Sequence, residues 1–469
     1  MTERLWIAAV VVVVCASAAR ADDDAHDGSD VPISATTPLA APEPVPPPPE
    51  PPPIEPVRVV GFRVKGSSKL RARTASYLAH VDVGDYVMPG DEPELEAALM
   101  SSELFESAIV TFEDVPGGVM VVCTLDDKMS WIAAPTAYVL PGRWSVGVGY
   151  AESDLGGTNR KLLLYGQIGS FTSLFLGTYF DPSFHGTKWQ MRFDIYVLHE
   201  LVDEYANPSN DTTSMAVERE STENFLDAGA LIGYQFRWWL VADLRLRGAY
   251  VYFRDAHDSG NNRLAEPEVD GWDWTVQERV TADHRSHYRG VTWGPYAQLM
   301  VEQAVPLLST YQYQDANARA YYSWRLFGMH ELELRAGFNV GRHLPFNEEM
   351  TTGGVGDLRG YDVDQFRGDT RGMFRAEYSV PIVDWRMFYL RGIGFYDSGY
   401  VANNFQDPSG MRSYLPSQAA GDSWFRNDVG AGIRLYVRSI VLPLLGFDVG
   451  YGLEARALEY YFELGLTDF

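Results

Sequence analysis

From about residue 131 to residue 469, polar and apolar side chains alternate with a period of two, segment after segment. In 331–338 (ELELRAGF), Glu331, Glu333 and Arg335 share one face, while Leu332, Leu334 and Phe338 share the other. Successive side chains of a strand point to opposite faces, so this pattern predicts strands with one polar and one apolar surface. Segments that carry it clearly are 144–151, 161–169, 174–180, 188–198, 225–236, 241–253 and 291–301. Further along come 318–327, 331–340, 373–382, 388–396, 429–437, 445–453 and 460–466. Segments 271–280 and 308–314 complete a set of about 16, an even number as single-chain bacterial barrels have. The polar stretches 199–223, 255–270 and 403–427 read as extracellular loops.

An apolar face on every strand needs an apolar surrounding. In a bilayer each strand edge must also be paired, so the array is expected to close on itself. The fold class predicted for 129–469 is an all-β transmembrane barrel of about 16 antiparallel strands.

The N-terminal third follows other rules. Arg4, an apolar run at 5–14 and Ala19-Arg20-Ala21 form an export signal over 1–21, too short to span a bilayer as a helix. Cys15 is the alternative, a lipidation site, but the bulk of Val14 before it argues against that. Residues 22–54 are acidic and then proline-rich, a composition for a disordered linker. Asp22, Asp23, Asp24, His26 and Asp27 read as a solvated acidic tail, not a metal site. Over 55–128 the pattern becomes a small α/β domain, with strand 57–65, helices 70–79 and 92–102, and a hairpin of 106–113 with 119–125. Pro93 sits in the first turn of the second helix, Leu95 and Leu99 share its face, and Pro116-Gly117-Gly118 turns the hairpin.

Charge and composition exclude several function classes. A formal net charge of -25 repels phosphate, so no nucleic-acid partner is expected. No uncharged apolar run of about 18 residues follows the signal, which excludes a helical membrane protein. A barrel passes that test, because its two faces cancel in any hydropathy window. The chain lacks G-x-S-x-G and H-E-x-x-H, and His284-x-x-His287 falls in a connection. No enzyme activity, cofactor or metal is expected. Cys123, alone once the signal is removed, reads as a small buried hydrophobe on a strand.

The candidate functional residues gather around Gly353-Gly354-Val355-Gly356-Asp357-Leu358-Arg359-Gly360-Tyr361. An arginine on a glycine-rich turn is followed by two strands that each carry one acidic residue, Glu377 and Asp397. If the turn dips into the barrel, the guanidinium fork of Arg359 can pair with both carboxylates and brace the loop across the lumen. Gly360 would permit the close turn and Tyr361 would pack on the wall. Gly354-x-Gly356-x-x-x-Gly360 is not a phosphate loop, since no helix follows it.

These motifs resemble the BamA/TamA-like outer-membrane assembly superfamily, also called the bacterial surface antigen family. Leu358-Arg359-Gly360-Tyr361 is similar to its inward loop motif, Glu377-Tyr378-Ser379-Val380-Pro381 to its E-Y-R-x-P strand, and Phe395-Tyr396-Asp397-Ser398-Gly399 to F-x-D-x-G. Serine replaces the usual arginine at 379. Asp181-Pro182-Ser183-Phe184-His185-Gly186 is similar to an early P-x-F-x-G turn, and Phe469 to the terminal aromatic of the insertion signal. Residues 99–108 resemble the signature of POTRA domains, of which the chain holds one where assembly relatives carry several.

The resemblance implies a monomeric barrel in the outer membrane of a Gram-negative bacterium, with the POTRA domain in the periplasm. It implies assembly, insertion or translocation of unfolded outer-membrane or secreted clients, with lipid and accessory lipoproteins as further partners. The action would lie at a seam between first and last strands, assigned to Gly147 and Gly149 on one side and Gly465 on the other, because strand glycines weaken pairing. With Phe462, Leu464 and Leu466 facing lipid, Phe469 falls out of phase unless a bulge intervenes. The competing expectation is a plugged transport or secretion pore whose acidic lumen selects cations.

Overall fold

The computed structural model describes residues 55–140, 142–205, 216–288, 290–385, 388–405, 425–437 and 443–464. The expected signal and linker, Gly465 and Phe469 lie outside the described residues.

The N-terminal domain comprises β1 (Val57–Ser67), α1 (Ala72–Leu78), β2 (Tyr86–Val87), α2 (Glu92–Ser101), β3 (Phe105–Val115) and β4 (Gly118–Asp127). Its sheet order is β2-β1-β4-β3, with β1 parallel to β4 and the other pairs antiparallel. Pro93 opens α2, and Leu95 and Leu99 point from it into a core with Val59, Leu78, Val121, Cys123 and Leu125. Gly117 and Gly118 both take positive φ, which the tight β3–β4 turn requires. The one element not anticipated is β2, a two-residue strand at the sheet edge.

The wall begins with β5 (Trp131–Leu140), β6 (Arg143–Glu152), β7 (Lys161–Gly169), β8 (Thr172–Asp181), β9 (Trp189–Tyr205), β10 (Val217–Arg237) and β11 (Leu240–His257). It continues with β12 (Gly271–Asp283), the short β13 (Ser286–Tyr288), β14 (Val291–Ala304), β15 (Gln314–Leu326) and β16 (His330–Arg342). After a long connection holding the small hairpin β17 (Met350–Thr352) and β18 (Phe366–Gly368), it resumes. The last wall strands are β19 (Thr370–Asp384), β20 (Phe388–Ala402), β21 (Phe425–Val437), β22 (Pro443–Gly452) and β23 (Ala457–Leu464). The sheet closes through β23 and β5, and β13 extends the β12 side against β14, leaving a 16-stranded antiparallel barrel.

The total agrees with the sequence, but one member differs. Residues 308–313 lie in the connection before β15, and the strand in question is β5, whose Ala-Ala-Pro-Thr centre hides its alternation. Pro135 cannot donate to a ladder, which suits a strand at the barrel's closing edge. The stretch 199–223 is also more regular than expected. Strands β9 and β10 run on to Tyr205 and back from Val217, so the wall rises higher there than at β5–β8.

Alternation sorts charge inward. On β9, Phe193, Ile195 and Val197 are exposed on the outer face, while inward Asp194 pairs with Arg192 and Arg245. On β16, Phe338 faces out, and Glu333 turns in to accept from Ser323 and pair with Arg335. These two inward carboxylates are tolerated because both find partners.

The α/β domain docks on one mouth of the barrel. The backbone amide of Arg71 donates to Gly157 O (3.0 Å), and Arg73 Nε donates to Gly186 O (3.2 Å). His80 stacks on Trp238 with ring centroids 4.8 Å apart, and Lys188 pairs with Asp82 at 3.5 Å. These contacts come from the β6–β7, β8–β9 and β10–β11 connections, which fixes the Leu155–Thr158 turn at the domain's end. The connection after β16 leaves from the opposite end.

Candidate functional site

The connection 343–369 folds back into the barrel instead of standing clear of it. Phe346 is fully buried against Phe253 of β11 (5.3 Å between rings), and the Arg367 guanidinium lies 4.0 Å from the Phe346 ring centroid. Between β17 and β18 the chain makes a turn at Gly353 and Gly354, both at positive φ (123° and 92°). The Gly354 amide donates to Leu358 O and Tyr361 O, closing that turn on itself. Arg359 is thereby presented to the wall.

Its guanidinium is 1% exposed and saturated by wall carboxylates. Nε and Nη2 donate to the two oxygens of Asp397 at 2.9 and 3.2 Å, and Nη1 reaches Glu377 at 3.1 Å and Asp448 at 3.5 Å. The cation also lies over the Phe395 ring, 3.3 Å from its centroid, where the ring's negative face adds attraction. The F-x-D-x-G pattern on β20 thus has a physical reading. Positions 395, 397 and 399 all face inward, giving a ring under the guanidinium, a carboxylate beside it, and a glycine over which fully buried Leu358 packs.

The neighbours of Arg359 meet the wall just as closely. The Gly360 amide donates to Asp428 (3.0 Å), and its Cα faces Gly450 and Gly452 of β22. A β-carbon at Gly360 would collide with the Gly452 amide and stand 2.7 Å from Asp428 Cβ. Tyr361 donates its hydroxyl to Glu454 and packs edge-on against Phe366 (5.4 Å). Arg375 donates to Asp397 and to the Val355 and Asp357 carbonyls, and Asp448 also accepts from Arg434. A second tie runs to the far wall. Arg247 of β11 donates to Glu348 of the loop, to Asp273 of β12 and to Tyr313 of the β14–β15 connection, at 2.7 to 2.8 Å.

The structure therefore brings Leu358, Arg359, Gly360 and Tyr361 together with Glu377 and Asp397. Sequence reasoning missed Asp428, Asp448, Arg375, Gly450 and Gly452. The last two carried a signal: in 446–452 (GFDVGYG) the inward positions 448, 450 and 452 are one acid and two glycines, a face built for a close visitor.

The seam needs a correction. Gly147 and Gly149 lie on the second barrel strand, β6, opposite Thr136 and Ala134 of β5. A β-carbon at Gly147 would stand 2.8 Å from Gln167, so that glycine serves packing between β6 and β7. The closing edge is β5 against β23, with described pairing Phe462↔Val139, Glu463↔Tyr138 and Leu464↔Ala137. Tyr461 beside it donates to Tyr361 O (2.6 Å), tying the inward loop to the last strand. His284 packs on Trp238 and His287 bonds Thr292, so the two histidines have separate neighbours. Among the described residues no group of His, Cys, Asp and Glu is arranged to hold a metal ion.

Solved structures with a similar fold include CdiB from Escherichia coli, at TM-score 0.61 and 13% identity, covering 87% of this chain and 76% of that one. BamA from Haemophilus ducreyi lacking POTRA domains 1-3 is similar at TM-score 0.55 and 13% identity, with 87% and 84% covered. CdiB from Acinetobacter baumannii gives TM-score 0.56 at 12% identity, with 88% and 74% covered. No curated protein matches the sequence. The profile of the Omp85 superfamily domain matches residues 154–466. That match spans β7 through β23 and includes the inward loop with every carboxylate that holds it; the chain is an outer-membrane β-barrel protein of the Omp85 superfamily.

Proposed function

We propose that the protein is an assembly, insertion or translocation factor for unfolded outer-membrane or secreted polypeptides, with its α/β domain serving as a periplasmic POTRA module. The observation that carries this reading is a closing edge between the first and last wall strands beside a braced loop. Strands β5 and β23 close the sheet at Phe462↔Val139, Glu463↔Tyr138 and Leu464↔Ala137, and Tyr461 of β23 donates to Tyr361 O of the loop. This junction joins the two ends of the strand series, so no chain connection links its strands, and it is where the wall can part. An incoming client strand would add to the edge of β5 that such parting frees, through main-chain hydrogen bonds. Strand β3 of the α/β domain is a second open edge, 11 residues long with Ile109 exposed, suited to receive an extended segment first. With the loop held from two walls, the client's route is the wall, not the lumen.

A disulfide across the seam tests this. Ala137→Cys with Leu464→Cys places the two thiols on paired positions. Oxidation should stop client delivery while the barrel stays folded, as judged by heat-modifiable migration on gels, and reduction should restore it. Unimpaired delivery through a locked seam would refute the reading in favour of a pore whose loop withdraws.

A further inference from the structure

Two cavities lie inside the barrel at the inward turn. One, of about 320 Å³, is bounded by β15, β16, β19 and the turn, and is lined by Arg319, Arg335, Arg371 and Arg375 with Asp357 as its acidic residue. The other, of about 480 Å³, extends toward the α/β-domain end. Tyr321, Arg335, Gly356 and Arg375 line both, so the cavities adjoin beside the turn. Four arginines line the first and six the second, with two shared, so eight line the pair. Among the described residues one carboxylate lines the first and four others the second, making five. The lining is thus richer in guanidinium than carboxylate, although the whole chain carries -25.

The excess is concentrated in the first cavity. Arg335 is held by Glu333, Arg371 by Asp357 and Arg375 by Asp397. Arg319, exposed to the lumen, hydrogen-bonds the side-chain oxygen of Asn317 at 3.1 Å, and among the described residues no carboxylate pairs with it. Arg371 keeps its Nε buried without an acceptor. Beside them Gly356 leaves open space, with nothing within 4 Å of where its β-carbon would stand.

We propose that these adjoining cavities form a passage for small inorganic ions past the inward loop, and that it favours anions. A narrow aqueous path with low-dielectric walls focuses the field of its fixed charges, and the guanidinium of Arg319 then enriches anions and disfavours cations. The acidic chain would suggest the opposite preference, but selectivity is set by the charges that line the passage, not by the total of the chain. The passage does not depend on client handling, and locking the seam should leave it unchanged.

The test is a planar-bilayer recording of the purified full-length protein across a potassium chloride gradient. A small steady conductance is expected, with its reversal potential displaced toward the chloride equilibrium value. Arg319→Glu should move the reversal potential toward the potassium value. Gly356→Trp should lower conductance at least severalfold while keeping the anion preference, and heat-modifiable migration establishes that both variants are folded. Absence of conductance, potassium preference in the wild type, or folded variants indistinguishable from it would each overturn the assignment.

Discussion

Replacing Arg359 by alanine removes a guanidinium that bonds three carboxylates, yet the cost is set by what those carboxylates retain. Asp397 keeps Arg375 at 2.8 Å, Asp448 keeps Arg434 at 2.7 Å, and the Glu377 side chain is 24% exposed and can turn to water. No carboxylate is left buried and alone, so the loss belongs at the lower end of the range of about 3–5 kcal/mol for breaking a buried ion pair. About 3 kcal/mol corresponds to roughly a 100-fold rise in the population of loop that has left the wall. Leu358 is fully buried in the docked loop, so alkylation of Leu358→Cys reports that population directly. Cys123 is a silent background, because burial in the α/β core pushes its thiol up to about 12. Adding Arg359→Ala to Leu358→Cys should accelerate labelling by about two orders of magnitude while the barrel remains folded. An unchanged rate would refute the bracing role.

Gly360→Ala should release the loop without touching a charge, since the new methyl meets backbone on β22 that cannot move aside. Labelling at Leu358→Cys should rise as it does for Arg359→Ala, and a rate equal to the parent's would contradict the close fit. Domain docking should depend on pH through His80, which faces Trp238 with Asp82, Lys188 and Arg237 around the same cavity. Burial lowers this imidazole from its ordinary 6.5, so the docked state binds fewer protons than the released one. Docking is therefore at full strength above about pH 6.5 and weakens as pH falls below it. Hydrogen exchange in α1 should rise on acidification, more in the wild type than in His80→Gln, and equal responses would exclude the histidine.

Most of the barrel was legible because alternation is imposed by its two environments, and a charge facing lipid is costly wherever it occurs. Strand β5 escaped because Ala133, Ala134 and Pro135 carry no polarity contrast, and its place is dictated by closure with β23, a partner more than 300 residues distant. The same gap misassigned Gly147 and Gly149 to the seam. At the loop, Arg359, Glu377 and Asp397 stood in recognisable local patterns. Asp428 and Asp448 did not, because their role exists only once β21 and β22 curve round to meet the turn. Arg247 and Glu348 were invisible for a related reason: neither is unusual alone, and the tie between them crosses the lumen.

The central claim, that clients engage the wall at β5, is tested most directly by site-specific photocrosslinking during client assembly. Benzoylphenylalanine would replace Ala133 on the outer face of β5 and, as a control, Phe193 on the outer face of β9. The account predicts adducts with an unfolded client from position 133 and none from 193. Equal capture at both positions, or capture at 193 alone, would contradict it.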